Sequence, residues 1–154
     1  MRVLRLRQST LDEIEGHALE SYPSECCGAV LVGDGRESVR RISNIQDRLH
    51  REDSVKHPRD ARTAYFMDPK ELFELLREAD QRHHPIRIFY HSHPEHGAYF
   101  SEEDKARAMA WDEPAYPDAA HLVVSVVGGI VKDRLAVVWD PERREFVAAE
   151  LAIT

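Results

Sequence analysis

His91 and His93 stand one residue apart at the end of Ile86-Arg87-Ile88-Phe89-Tyr90, a β-branched and aromatic run typical of a buried strand. Positions i and i+2 of a strand face the same side, so the two imidazoles stand side by side and can share one divalent ion. Pro94 lacks a backbone donor and is predicted to break the ladder. After an irregular loop, Ser101 opens a helix: it is a favoured N-cap, and Glu102, Glu103 and Asp104 fill the first turn. Asp104 falls at N3, where its carboxylate can point back across the loop toward the histidines. Two His and one Asp, with a fourth position left to water, make an open catalytic zinc site. Zinc held this way activates water at neutral pH.

Several elements must position these groups. Met1 to Arg7 alternates charged and apolar residues and reads as a strand. Thr10-Leu11-Asp12-Glu13 then reads as a capping box, with Leu11, Ile14, Ala18, Leu19 and Tyr22 as the buried stripe of a first helix ended by Tyr22-Pro23. Glu25 to Gly33 is predicted to be a strand covered on both faces, turning at Gly33-Asp34-Gly35 into a partner strand over Ser38 to Ile45. Gln46 to Arg62 is charged and reads as an exposed loop carrying His50 and His57. A short strand follows over Thr63 to Phe66. Asp68 caps a second helix with Pro69 at N1, its apolar side formed by Leu72, Phe73, Leu75, Leu76 and Ala79. His83, His84 and Pro85 connect it to the strand bearing the histidines.

Beyond the site, the helix from Ser101 is predicted to run to about Trp111, with a loop over Asp112 to Asp118. His121 to Val127 and Ile130 to Trp139 read as a hairpin turning at Gly128-Gly129, and Glu145 to Ile153 as a last strand. The inventory is about seven strands and three helices. It defines one α/β domain with a mixed central sheet flanked by those helices.

Composition bounds the function. At 154 residues and 42% hydrophobic content the chain suits one soluble domain. No run reaches the apolar length of a membrane span, and the first residues do not read as a signal peptide, so a cytoplasmic address is expected. The net charge of −7 argues against a nucleic-acid partner, whose phosphates need a basic surface. Cys26 and Cys27 are adjacent, which offers neither a disulfide framework nor a structural zinc site. At least one reads as a small core residue, with a reactive thiol as the alternative.

His91-x-His93, seven residues, then Ser101-x-x-Asp104 resembles the signature of the JAMM (MPN-plus) metalloprotease family. The resemblance implies that His91, His93 and Asp104 bind one zinc ion per chain and that Ser101 assists catalysis. The family also carries a Glu within a Glu-x-Cys-Gly pattern on the strand after its first helix, and Glu25-Cys26-Cys27-Gly28 supplies it. Glu25 is thereby implied as the general base that later returns its proton to the leaving nitrogen. Ala98-Tyr99-Phe100-Ser101 is similar to bacterial members, whereas many others have Pro where Phe100 stands. The implied fold is the JAMM/MPN, cytidine-deaminase-like one. The implied reaction is hydrolysis of an amide or isopeptide bond at the Gly-rich C-terminal tail of a ubiquitin-like or sulfur-carrier protein. The loops at Gln46 to Arg62 and Asp112 to Asp118 are expected to select the substrate, whereas His96 reads first as a scaffold or solvated residue and only second as a substrate contact.

Two other classes compete. An inactive MPN scaffold keeps the fold without metal ligands, and the presence of all five residues speaks against it. A zinc deaminase also pairs a Glu with zinc but carries a P-C-x-x-C segment, which this sequence lacks.

Overall fold

The computed structural model describes residues 2–154. In chain order the elements are β1 (Val3–Leu6), α1 (Gln8–Ser21), β2 (Cys27–Gly33), β3 (Arg36–Ile42), α2 (Gln46–Glu52), α3 (Pro69–Arg82), β4 (Ile86–Pro94), α4 (Glu102–Ala108), β5 (Met109–Ala110), β6 (Glu113–Pro114), β7 (Ala120–Val127), β8 (Ile130–Asp140) and β9 (Glu145–Ile153). Among the described residues, seven strands form one sheet in the order β1-β9-β8-β7-β4-β2-β3, while β5 and β6 pair separately. β1 runs parallel to β9 and β4 parallel to β7; the other pairs of the large sheet are antiparallel. The architecture is the single-domain mixed α/β sheet that the sequence implied, with four helices instead of three.

Alternation along β4 divides the interior into two cores. Ile88 and Tyr90 join Leu11, Ile14 and Ala18 of α1 and Leu122 and Val124 of β7 on one face. Phe89 joins Ala29 and Leu31 of β2 and Leu75 and Ala79 of α3 on the other. Strands covered on both sides have no solvent face to keep polar, which is why β2 and β7 read as near-continuous apolar runs.

Several local expectations give way to tertiary contacts. α1 starts at Gln8, with Arg7 at the N-cap and no side-chain cap. Thr10 therefore lies inside the helix, and its hydroxyl donates to Glu37 Oε1 at 2.6 Å instead of closing a box with Glu13. Leu19 and Phe73 are exposed, so both helical stripes are narrower than their spacing implied. The expected loop from Gln46 contains α2 and is not uniformly exposed: Gln46 and Ala61 are buried. Gln46 Nε2 donates to Arg59 O at 2.8 Å, and Asp47 accepts the Ala61 N–H at 2.7 Å. Polar side chains here fold the segment on itself. Thr63 to Phe66 forms no strand, and an isolated bridge joins Asn44 to Met67 nearby. α4 stops at Ala108, and the β5–β6 hairpin occupies part of the expected loop. Asp68 does cap α3, accepting from the Lys70 and Glu71 N–H groups, with Pro69 in the first turn.

Candidate active site

The register between β2 and β4 assembles the site. Cys27 pairs with His91 in an antiparallel ladder. Continuing that register by two residues places Glu25, just before β2, opposite His93 and on its face. Gly28 permits the close approach: a Cβ there would sit 2.4 Å from Tyr90 Oη and 2.6 Å from Arg40 O. The Glu25 backbone is anchored, its N–H donating to Ala61 O at 2.7 Å and its carbonyl accepting from Asn44 Nδ2 at 2.9 Å.

Pro94 does not break the ladder as predicted; it still pairs with Val126 of β7. Ser92 N–H points to Cys26 O and Glu95 N–H to Val126 O, so the even-numbered positions face β2. The missing Pro94 donor therefore points to the side where β2 has not yet begun, and no bond is lost.

Ser101 caps α4 as expected. Its Oγ accepts the Asp104 N–H at 3.0 Å, and Asp104 Oδ2 accepts the Ser101 N–H at 3.0 Å. This reciprocal box turns the Asp104 carboxylate toward β4. Oδ2 then lies 3.1 Å from His91 Nε2 and 3.2 Å from His93 Nε2, and the two nitrogens are 3.2 Å apart. All three residues are buried. Burial alone would raise the Asp104 carboxyl, but contacts with both imidazoles and the Ser101 N–H hold it well below the usual carboxylate range. Burial likewise lowers the His91 imidazole, favouring its neutral form.

These distances fit a metal better than a set of hydrogen bonds. His93 Nδ1 lies 3.0 Å from Gly97 O, an acceptor, so Nδ1 carries a proton and Nε2 is the nitrogen whose lone pair can bind a cation. That lone pair faces a carboxylate oxygen and a second imidazole nitrogen. A cation at the centre resolves the conflict. Ligand atoms at zinc bond lengths of 2.0–2.1 Å on a tetrahedron lie roughly 3.3–3.4 Å apart, close to the spacings observed.

Glu25 occupies a different position in the same cluster. Candidate ligand atoms of Glu25, His91 and His93 all lie within 4.8 Å of one another. Its carboxyl is buried, and Oε1 has no hydrogen-bond partner. Burial, then the negative charges of Asp104 and Glu103, push that carboxyl up to about 9. Asp104 touches both imidazoles and is held ionised, whereas Glu25 lacks such a partner. The donor set therefore fits a metal held by His91 and His93 with a carboxylate, and Asp104 is the carboxylate that touches both imidazoles. A nearby divalent charge would draw the Glu25 carboxyl back toward ionisation.

Glu25, His93, Ser101 and Asp104 line one cavity of about 310 Å³, together with Arg59, Thr63, His96 and Tyr99. Arg59 was hidden in the charged segment before α3, and Thr63 in the short strand expected after it. Tyr65, which stacks on His91 with ring centroids 4.5 Å apart, was also missed. Only the pairing of that loop against α4 reveals them. Cys26 and Cys27 lie buried in the two opposite cores, and burial pushes the Cys26 thiol up to about 12.

Fold and site together define a mixed-sheet α/β domain with a buried two-histidine, two-carboxylate cluster at the end of a parallel strand pair. The family described as prokaryotic homologs of the JAB domain matches residues 7–140, and the chain belongs to that family. A desampylase from Haloferax volcanii is 31% identical over 133 residues, covering 81% of this chain and 82% of that protein. A solution structure of a Desulfitobacterium hafniense protein aligns with a TM-score of 0.70 at 18% identity, covering 99% of this chain and 92% of its own. A JAB1/MPN domain protein from Archaeoglobus fulgidus aligns at 0.50 and 14% identity over 99% of both chains. The fold is thus the JAB1/MPN one.

Proposed function

We propose that this chain is a zinc-dependent hydrolase that cuts an amide or isopeptide bond at the C-terminal tail of a ubiquitin-like protein. The observation that carries this reading is the convergence of His91, His93 and Asp104 to 3.1–3.2 Å beside the unpartnered Glu25 carboxyl. Likeness to a desampylase supports a protein-modifier substrate. A sulfur carrier with a Gly-rich tail would undergo the same chemistry.

His91, His93 and Asp104 would hold the ion, and Gly97 O fixes the tautomer of His93. Zinc, when bound, supplies Lewis acidity toward the scissile carbonyl and acidifies water. Glu25 takes the proton of the attacking water on its unpartnered oxygen and delivers it to the departing nitrogen. The Ser101 hydroxyl is engaged by the capping box only as an acceptor, so its O–H can donate to the carbonyl oxygen as that atom gains charge.

The test uses the zinc-loaded protein and a ubiquitin-like domain fused through its Gly-Gly tail to a reporter, with fragments weighed by mass spectrometry. Cleavage after the last glycine is expected, and Glu25→Gln should keep the metal while losing at least about a hundredfold in turnover. A protein that takes up no zinc would favour the scaffold reading. Undiminished turnover by Glu25→Gln would remove the general-base role.

A further inference from the structure

A second cavity, of about 240 Å³, adjoins the cluster, with Tyr65, Leu72, Phe89, Arg107, Ala108 and His121 among its walls. A single ring, Tyr65 stacked on His91, separates it from the candidate ligands. Its floor includes the Phe89–His121 pair, one row before the His91–Val123 pair on β4 and β7. Two residues along a strand span roughly 7 Å, so the floor lies about that far from the ligand row.

The lining is mostly apolar, with Arg107, His121 and the hydroxyl-bearing Tyr65 and Tyr116 as its polar members. The Arg107 guanidinium lies 4.9 Å over the Phe66 ring, and its Nη2 donates to Glu103 at 3.1 Å. Its Nε is buried without a hydrogen-bond partner. Glu103 also faces Arg59 at 3.5 Å, so two guanidinium groups share one carboxylate. An apolar hole beside the cluster is matched by an extended peptide that fills it with one side chain. The volume falls below the roughly 300–1,000 Å³ of cofactor and drug-sized pockets and suits one large side chain.

We propose that this cavity is a specificity subsite for one bulky apolar side chain, aromatic or branched aliphatic, of the substrate's tail. The inference rests on the hydrolase reading. When the leaving group is a lysine side chain or a single amino acid, the extended chain at the scissile bond lies on the acyl side. An extended chain advances about 3.3 Å per residue, so the side chain that reaches the cavity belongs to about the third residue before the bond cut, just beyond a Gly-Gly pair.

Peptides ending at the scissile carboxyl, carrying Leu or Ala at the second, third or fourth position from the end, are titrated calorimetrically into zinc-loaded Glu25→Gln protein. At one position the Leu peptide should bind roughly 10- to 100-fold more tightly than its Ala counterpart. Ala108→Phe, which fills the cavity, should erase that preference without weakening the Ala peptide, and Leu72→Trp repeats the test from α3 if the first variant fails by circular dichroism. Equal binding at every position, or a preference that survives cavity filling, overturns the subsite. Cleavage by the unsubstituted protein is scored separately: binding with the preference but no hydrolysis refutes the hydrolase alone, and hydrolysis without the preference refutes the subsite alone.

Discussion

On the α1 face of the sheet, His17 is buried and its Nδ1 lies 2.6 Å from the hydroxyl of Tyr90. On the opposite face, one residue further along β4, His91 is buried with its Nε2 against His93 and Asp104. Both histidines pack edge-on or face-on to a tyrosine, His17 to Tyr90 and His91 to Tyr65. Burial and aromatic company therefore do not separate a structural histidine from a functional one. What separates them is whether the neighbours complete the hydrogen bonding. A phenol has a donor and an acceptor and can satisfy an imidazole in either tautomer. A second imidazole and a carboxylate oxygen, meeting at one point with a carboxyl left unpaired beside them, require something more.

The comparison can be broken most forcefully on the metal side. Asp104→Asn keeps a carbonyl oxygen able to accept the Ser101 N–H yet removes the anionic ligand. Dialysed protein should lose its zinc and essentially all hydrolysis, measured by metal analysis beside turnover; retained stoichiometric metal would shift the ligand role to Glu25. Next in size is Ser101→Gly. Glycine at an N-cap costs only a few tenths of a kcal/mol, so the fold and metal content should persist while kcat falls about 10²- to 10³-fold. An unchanged rate would confine Ser101 to capping.

On the α1 face the expected effects are on stability alone. Tyr90→Phe leaves His17 buried without its partner and should cost about 1–3 kcal/mol in denaturant unfolding, with the turnover of folded protein unaltered. The smallest effect is on pH dependence. Burial, then the Arg41 charge, lowers the His17 imidazole from 6.5 to about 4. The unfolded chain thus binds the proton more readily than the folded one. The contribution of His17 is complete above pH 6.5 and lost as pH falls toward 4. Metal-free His17→Phe should show a shallower loss of stability than the parent across that window; coincident slopes would show that His17 titrates normally.

Much of the candidate site was legible because it is local. The i, i+2 pair on β4 and the cap that aims Asp104 each depend on a few neighbouring residues whose backbone geometry follows from residue type. Elements were legible for the same reason wherever punctuation was strong, as at Asp68-Pro69 and Gly128-Gly129. The failures cluster where a side chain found a distant partner. Thr10 looked like a cap until Glu37 claimed its hydroxyl, and the charged segment after Ile45 looked solvated until Gln46 and Asp47 bonded its far end.

The sequence by itself determined which residues can ligate or carry protons, that His91 and His93 share a face, and that a helix begins at Ser101. Those properties are set by side-chain chemistry and by periods of a few residues. Only the tertiary structure decided that Glu25 lies against His93, that Arg59, Thr63 and Tyr65 wall the cluster, and that His17 is satisfied while Glu25 is not. Each of these depends on strand register or loop packing between segments remote in the chain. Such pairing is chosen by the joint burial of both faces of the sheet, which no single stretch encodes.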